Sequence, residues 1–394
     1  MNLPDIYIVS ALRTAIGGFG GSLKDVSPID LGTAVSRAAI ERSGLAAEHI
    51  GHVVMGHVIP TEVRDAYLSR VVALQAGLAR ETAAMNVNRL CGSGLQAIVS
   101  ASQALALGDT RAALAGGAES MSRGAYILPQ ARWGARMGHT QMLDYMLGAL
   151  HDPFENIHMG ITAENIAEHH GISRLMQDEL AVSSQQRAAR ALAEGRFDSQ
   201  IVPIEVPTRK GPVTFAVDEH VRSDTSLEQL AKMKPAFRKD GSVTAGNASG
   251  LNDGAAALVL ATGELVREQH LTPLARVVGY AHAGVAPSMM GLGPIPATRK
   301  LLERTGVTVQ QLDVIESNEA FAAQACAVAR ELGFDPEKVN VNGSGISLGH
   351  PVGATGAIIA TKAIHELHRC GGRYALATMC IGGGQGIAVL FERA

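Results

Sequence analysis

In the first third of this chain, and again in the last third, apolar strands alternate with helices, and a glycine-rich turn carrying a reactive side chain opens one helix. Near the start, Ile6-Tyr7-Ile8-Val9 reads as a strand, and Ser27 with Pro28 supplies an N-cap and a first-turn proline for a helix that ends near Gly44. Val53-Val54-Met55 is the next strand, Asp65 to Ala76 a helix, and Met85 to Asn88 a strand that leads into Cys91. Leu95, Ile98, Val99, Ser102 and Leu105 then keep helical spacing up to Gly108, before a short buried strand from Ala112 to Ala115. The last third runs Arg276 to Val278, a helix from Ala297 to Glu303, the strand Val314-Ile315, a helix around Phe321 to Leu332, and the strand Val339 to Val341. A turn with His350 follows, then a helix from Ala354 to Leu367 and the strand Tyr374 to Thr378, which delivers Cys380.

The two turns set Cys91 and His350 259 positions apart (350 minus 91), the offset expected of a repeat. Two related α/β domains follow from that order. If they pack about a pseudo-two-fold axis, Cys91 and His350 sit at matching helix N-termini and face each other. The expected boundaries are 1–119 with 250–271 for the first core domain, 272–394 for the second, and 120–249 for an inserted loop domain. In that insertion Trp133, Met137, Met142, Met146 and Met159 cluster, while Pro153, Pro203, Pro207, Pro212 and Pro235 interrupt regular structure. Loops over a rigid scaffold supply substrate contacts or surface elaboration, and residue type does not decide between the two.

Composition agrees with a multi-domain α/β enzyme. At 394 residues the chain exceeds the size at which one core keeps growing, and 44 glycines imply tight turns and close backbone packing. A net charge of -3 gives no electrostatic ground for nucleic acid or an anionic membrane as a partner. Met1 to Asp5 lacks the basic region of a secretory signal, and no segment is read as reaching transmembrane length. Cys91, Cys326, Cys370 and Cys380 are too few for a disulfide framework in so long a chain, so reduced thiols in a cytosol are expected.

Four positions carry candidate chemistry. Cys91, in Asn88-Arg89-Leu90-Cys91-Gly92-Ser93-Gly94, lies just before a helix, where the positive end of the dipole stabilises a thiolate; a small buried thiol is the plainer alternative. His350, in Gly349-His350-Pro351, is held as a base must be, although a structural hydrogen-bonding histidine would look the same. The surrounding glycines fit neither the dinucleotide fingerprint nor a P-loop. Cys380 ends an apolar strand and precedes Gly382-Gly383-Gly384-Gln385-Gly386, whose backbone N–H groups could form an oxyanion hole or merely a hairpin. Asn318 offers a neutral donor at another strand end, or a helix N-cap. No compact cluster has the ligand spacing of a zinc site.

Six segments resemble the motifs of the thiolase family, in order and over essentially the whole chain. They are Asn88 to Gly94, Gly116 to Ser122, Thr244 to Gly250, Asn318 to Ala322, Gly349 to Pro351 and Cys380 to Gly386. Arg132 to Gly138 and Asn342 to Ser347 further resemble bacterial β-ketothiolases that supply polyhydroxyalkanoate synthesis; Ser344 departs from the Gly or Ala of many members. The resemblance implies a thiolase fold of two duplicated α/β core domains with an inserted loop domain. It also implies reversible Claisen condensation of acetyl-CoA with an acyl-CoA.

In that scheme Cys91 is acylated, His350 assists its deprotonation, and Cys380 exchanges the proton at the α-carbon or the departing CoA sulfur. The N–H groups of Cys91 and Gly382 hold the tetrahedral oxyanion, and His350 with a water on Asn318 holds the enolate. Coenzyme A, a substrate and product rather than a resident cofactor, is expected against Ser249, His158, Met159, Ala320 and Phe321, with Arg222 near its phosphates. Met290 is read as a further pocket wall. The family pattern implies a homo-oligomer, a dimer of dimers. Two other readings stand beside it: a decarboxylating ketoacyl synthase of the same fold, and a non-catalytic acyl-CoA binder.

Overall fold

The computed structural model describes residues 4–394. Nine longer strands form the path of an eleven-stranded main sheet, to which the two-residue strands Gly17–Gly18 and Ile201–Val202 also pair: β1 (Ile6–Thr14), β2 (Ile50–Gly56), β3 (Ala83–Val87), β4 (Ala112–Ser120), β5 (Asn252–Thr262), β6 (Ala275–Gly284), β7 (Leu312–Ser317), β8 (Tyr374–Ile381) and β9 (Gln385–Arg393). They lie in the order β7-β8-β9-β6-β1-β5-β4-β2-β3. The sheet divides at its middle into two halves of one design. In the first, β2 runs parallel to β4, and β4, β5 and β1 pair antiparallel. In the second, β7 runs parallel to β8, and β8, β9 and β6 pair antiparallel. Among the described residues the halves meet edge to edge through two residue pairs, Tyr7 with Arg276 and Ile8 with Ala275.

The helices repeat the correspondence. Those used below are α1 (Pro28–Ser43), α2 (Leu68–Gln75), α3 (Ser93–Leu107), α4 (Met159–His170), α5 (Arg174–Ala193), α6 (Pro294–Thr305), α7 (Ala322–Leu332) and α8 (Val352–Cys370). α1 starts as its sequence requires: the Ser27 side chain accepts from the Asp30 N–H, Pro28 occupies the first turn, and Gly44 closes the helix in the left-handed conformation. The halves differ in one connection. β8 turns into β9 through Gly382, Gly383 and Gly384, whereas the chain between β4 and β5 holds α4, α5 and several short strands.

α3 and α8 are the centre of the molecule. Leu95, Ile98 and Val99 of α3 share one buried cluster with Ala357, Ile358 and Ile359 of α8 and with side chains from both sheet halves. α8 is buried from Val352 through Ile364, the pattern of a helix enclosed on all sides. Its one buried cation, Lys362, is matched by Glu316 at 2.8 Å and donates to the Gly343 carbonyl at 2.6 Å. The helices touch backbone to backbone: a Cβ on Gly356 would lie 2.2 Å from the Leu95 nitrogen, and one on Gly94 would lie 2.4 Å from the Ala357 nitrogen. Only glycine permits that crossing, and it brings the start of α3, with Cys91, beside the start of α8, with His350.

Three readings of the sequence change. Val339 to Val341 forms no strand; Val339 makes a single parallel bridge to Ile315, because Asn340 turns to a left-handed φ of 48° and spends its side chain on Ser317. The segment from Asp65 begins as a 3-10 turn, Val63–Tyr67, and becomes α-helical only at Leu68. Leu90–Leu107 is long and apolar enough to pass for a membrane span, which the sequence reading overlooked; here it forms the start and body of the central helix α3.

Candidate active site

Cys91 sits on a turn that its neighbours strain into place. Leu90 holds a φ of 46°, a conformation rare for a bulky residue. The turn is closed by Ser93, whose hydroxyl donates to the Leu90 carbonyl at 2.6 Å and accepts from the Arg89 N–H at 2.9 Å, and by Asn88, which accepts from the Leu90 N–H at 3.0 Å. The result presents the thiol one residue before the Gly92 cap of α3. The expectation of a stabilised thiolate is corrected by burial, which pushes the Cys91 thiol up to about 11. Hydrogen bonds from the backbone N–H groups of Gly382 and Cys91 itself oppose that rise without cancelling it. At neutral pH Cys91 is therefore a thiol, and forming its thiolate would need a base.

His350 has the features of that base. Burial lowers its pKa to about 4, so the imidazole is neutral at pH 7. Its Nδ1 lies 2.6 Å from the Thr355 hydroxyl, which donates its own hydrogen to the Pro351 carbonyl at 2.9 Å. With that hydrogen committed, Thr355 accepts from Nδ1–H, and Nε2 keeps the lone pair. Nε2 is buried and without a protein partner. The backbone of the turn is anchored by Asn252, whose Oδ1 accepts from the His350 backbone N–H at 2.8 Å. A Cβ on Gly349, which has a φ of 105°, would strike the Asn252 amide at 2.4 Å, so this turn requires glycine. The sequence reading found neither Thr355 nor Asn252: both are ordinary polar residues in sequence, and only the fold aims them at His350.

Cys380, at the end of β8, is buried. Burial first, and the charge of an ionised Cys91 second, hold its pKa far above that of an ordinary thiol. Asn318 is fully buried just beyond β7, and the helix-cap alternative fails: α7 begins at Ala322 with Phe321 as its cap. Neither amide atom of Asn318 has a protein partner, a state tolerated where a substrate group or a water completes the bonding.

Cys91, His350, Cys380 and Gly382 line one cavity of about 380 Å³. Its walls also include Ser249, His158, Met159, Ala320, Phe321 and Met290, and add Phe237, Met121, Met146, Leu147, Leu150 and Val352. His158 caps α4 by accepting from the Gly160 N–H at 3.0 Å and stacks on Phe237 at 4.7 Å, while Phe237 meets Phe321 edge-on at 6.0 Å. Segments 247–249 and 320–322 are laced together by Ser249 N–H to Ala320 O and Ala322 N–H to Asn247 O, both 2.9 Å. Arg222, expected near the CoA phosphates rather than in the apolar part of the site, is exposed and outside the cavity lining, and its backbone N–H donates to Gln185. A short apolar ligand arm would enter this cavity and end against two thiols, an imidazole base and a backbone donor.

The same architecture occurs in proteins of known kind. Residues 6–264 match the family profile described as thiolase, N-terminal domain, and residues 271–393 match thiolase, C-terminal domain. The chain is 60% identical to beta-ketothiolase BktB of Cupriavidus necator, over 99% of each chain. Among solved structures, acetyl-CoA acetyltransferase of Bacillus anthracis superposes with a TM-score of 0.97 at 48% identity, covering 100% of this chain and 99% of that one. Human mitochondrial 3-ketoacyl-CoA thiolase in complex with CoA gives 0.96 at 43%, covering 99% and 98%. With both profiles matched in order and the fold shared over its full length, this chain belongs to the thiolase family.

Proposed function

We propose that this protein is a β-ketothiolase that joins acetyl-CoA to an acyl-CoA, giving a 3-ketoacyl-CoA and free CoA, and that runs the same steps backwards as thiolysis. The observation that carries the reading is the convergence of two protonated thiols, one neutral imidazole with a free Nε2 and the Gly382 backbone on a single apolar cavity. Relatives named for this chemistry, one of them solved with CoA, support acyl-CoA thioesters as the substrates.

Protons balance over the cycle. His350 Nε2 takes the Cys91 proton as the sulfur attacks the thioester, and the N–H groups of Cys91 and Gly382 hold the oxyanion. The departing CoA thiolate takes the Cys380 proton. One thioester has replaced another of similar energy, so no ATP is required. An acylated Cys91 can no longer ionise, so the like-charge repulsion that an ionised Cys91 would exert on a Cys380 thiolate is absent. The Cys380 thiolate then abstracts an α-proton from acetyl-CoA, and protonated His350, with a water on Asn318, steadies the enolate oxygen. The enolate attacks the acyl-Cys91 carbonyl. Expelled as thiolate, Cys91 recovers its proton from His350.

A ketoacyl synthase would leave Cys380 without a task, and a non-catalytic binder would leave the base idle. Replacing Cys380 by Ser tests the division of labour: acylation of Cys91 by acetyl-CoA stays measurable, while exchange of the acetyl methyl protons with deuterium and condensation nearly stop. Equal loss of both half-reactions would assign Cys380 to architecture instead. A reducing compartment such as the cytoplasm suits two working thiols. A dimer of dimers would cover the exposed Trp133, Met137 and Met142 of the insertion.

A further inference from the structure

A second buried cluster, which the reaction above does not use, lies directly behind the His350 turn. Glu119, near the end of β4, is fully buried. One carboxylate oxygen accepts from the Gly353 N–H at 2.8 Å and the Val58 N–H at 3.2 Å, and the other accepts from the Ile59 N–H at 3.1 Å and lies 3.0 Å from Nδ1 of His57. Nε2 of His57 is 3.5 Å from Asp65, whose carboxylate is in turn held by the Thr61 N–H and hydroxyl.

Gly353 is the second residue of α8, and its N–H is one of the donors that a helix start leaves unpaired. The residue at the cap position, Pro351, makes no side-chain cap bond. The cap is supplied instead from another strand, by a carboxylate placed where the helix dipole favours negative charge. No side chain could replace the hydrogen at Gly353, since a Cβ there would stand 2.6 Å from Glu119 Oε2. The same carboxylate ties down residues 57–59, which run on from β2.

From this geometry we infer that Glu119, paired with His57, is a positioning residue for the His350 base: it pins the first turn of α8 and so fixes where Nε2 stands relative to Cys91. The charge pairing fits that task. Burial would strip the proton from His57, but Glu119 and Asp65 outweigh it and raise its pKa to about 10, so the buried carboxylate keeps a cation beside it at neutral pH.

The inference rests on the thiolase reading, and its test keeps the two apart. Three full-length proteins are compared, the wild type, Glu119→Gln and the double variant Glu119→Gln with His57→Gln, by thermal unfolding and by the rate and KM of acetyl transfer from acetyl-CoA to Cys91. Wild type that takes no acetyl group contradicts the reaction itself. If the reaction holds, Glu119→Gln should acylate on the order of 10- to 100-fold more slowly with KM changed less than about threefold, the size of effect expected from a small misplacement of a base. The double variant, which no longer strands a buried cation, should regain most of the lost melting temperature and remain slow. If Glu119→Gln does not fold, the double variant against wild type carries the comparison. Acylation at the wild-type rate in either variant, or recovery of rate in step with stability, would overturn the positioning role.

Discussion

The chemistry depends on protonation states that burial sets and that sequence alone did not give. The glycine-flanked turn made Cys91 a candidate nucleophile and the family resemblance chose it over a buried structural thiol, but its protonated form was not legible, because desolvation depends on how the second sheet half closes over it. The same enclosure lowers His350 to about 4. In the proposed mechanism the neutral imidazole is the base, so acylation should hold as pH falls past 6 and decline only as pH approaches 4. Thr355 makes the base unambiguous by fixing the proton on Nδ1. Thr355→Val keeps the shape but leaves Nδ1–H buried and unpaired, at a cost of about 1–3 kcal/mol, and removes the one bond that favours the proton on Nδ1 and the lone pair on Nε2. Acylation should fall about 10- to 100-fold in Thr355→Val, while Thr355→Ser stays within a fewfold of wild type. Single-turnover release of CoA from acetyl-CoA measures both, and equal rates for valine and threonine would remove Thr355 from the mechanism.

At the scale of elements, the order of strands and helices was largely legible, because apolar runs of the right length and strong caps such as Ser27, Pro28 and Gly44 leave little choice. What failed was Val339 to Val341, where β-branched residues suggested a strand but Asn340 spends its side chain on β7. The decisive contact, α3 crossing α8 at Gly94 and Gly356, could not be read from one sequence: a glycine in a helix looks like a weakness until its partner is known. Gly356→Ala puts a methyl group where the Leu95 backbone stands, and overpacking of this kind costs on the order of 1–3 kcal/mol or more. Urea unfolding should show that loss, with acylation reduced beyond the change in KM because Cys91 and His350 are pushed apart. An unchanged midpoint would mean that the helices separate freely and that the crossing does not set the site.

For the whole molecule, the duplication inferred from element order appears as two sheet halves of matching topology, and the insertion between β4 and β5 supplies one side of the cavity. Met159 and Met290 were legible as walls; Met121 and Met146 were not, because nothing in the sequence brings residues so far from the turns into the same space. Four methionines in one lining make it adaptable, since an unbranched thioether yields to an added methylene more easily than a branched side chain. A rigid pocket would lose about 1–3 kcal/mol per extra methylene. Thiolysis of 3-ketovaleryl-CoA should therefore reach a kcat/KM within about tenfold of acetoacetyl-CoA, measured at one CoA concentration with the enzyme kept reduced. A hundredfold deficit would mean a strict acetoacetyl-CoA enzyme. The central claim, that the two halves converge to make Cys91 the acyl acceptor, is tested most directly by incubating the protein with acetyl-CoA, digesting it and locating the acetyl group by mass spectrometry. The account predicts a thioester on the Cys91 peptide, absent in Cys91→Ser although that variant folds; acetylation confined to Cys380 or Cys326 would contradict it.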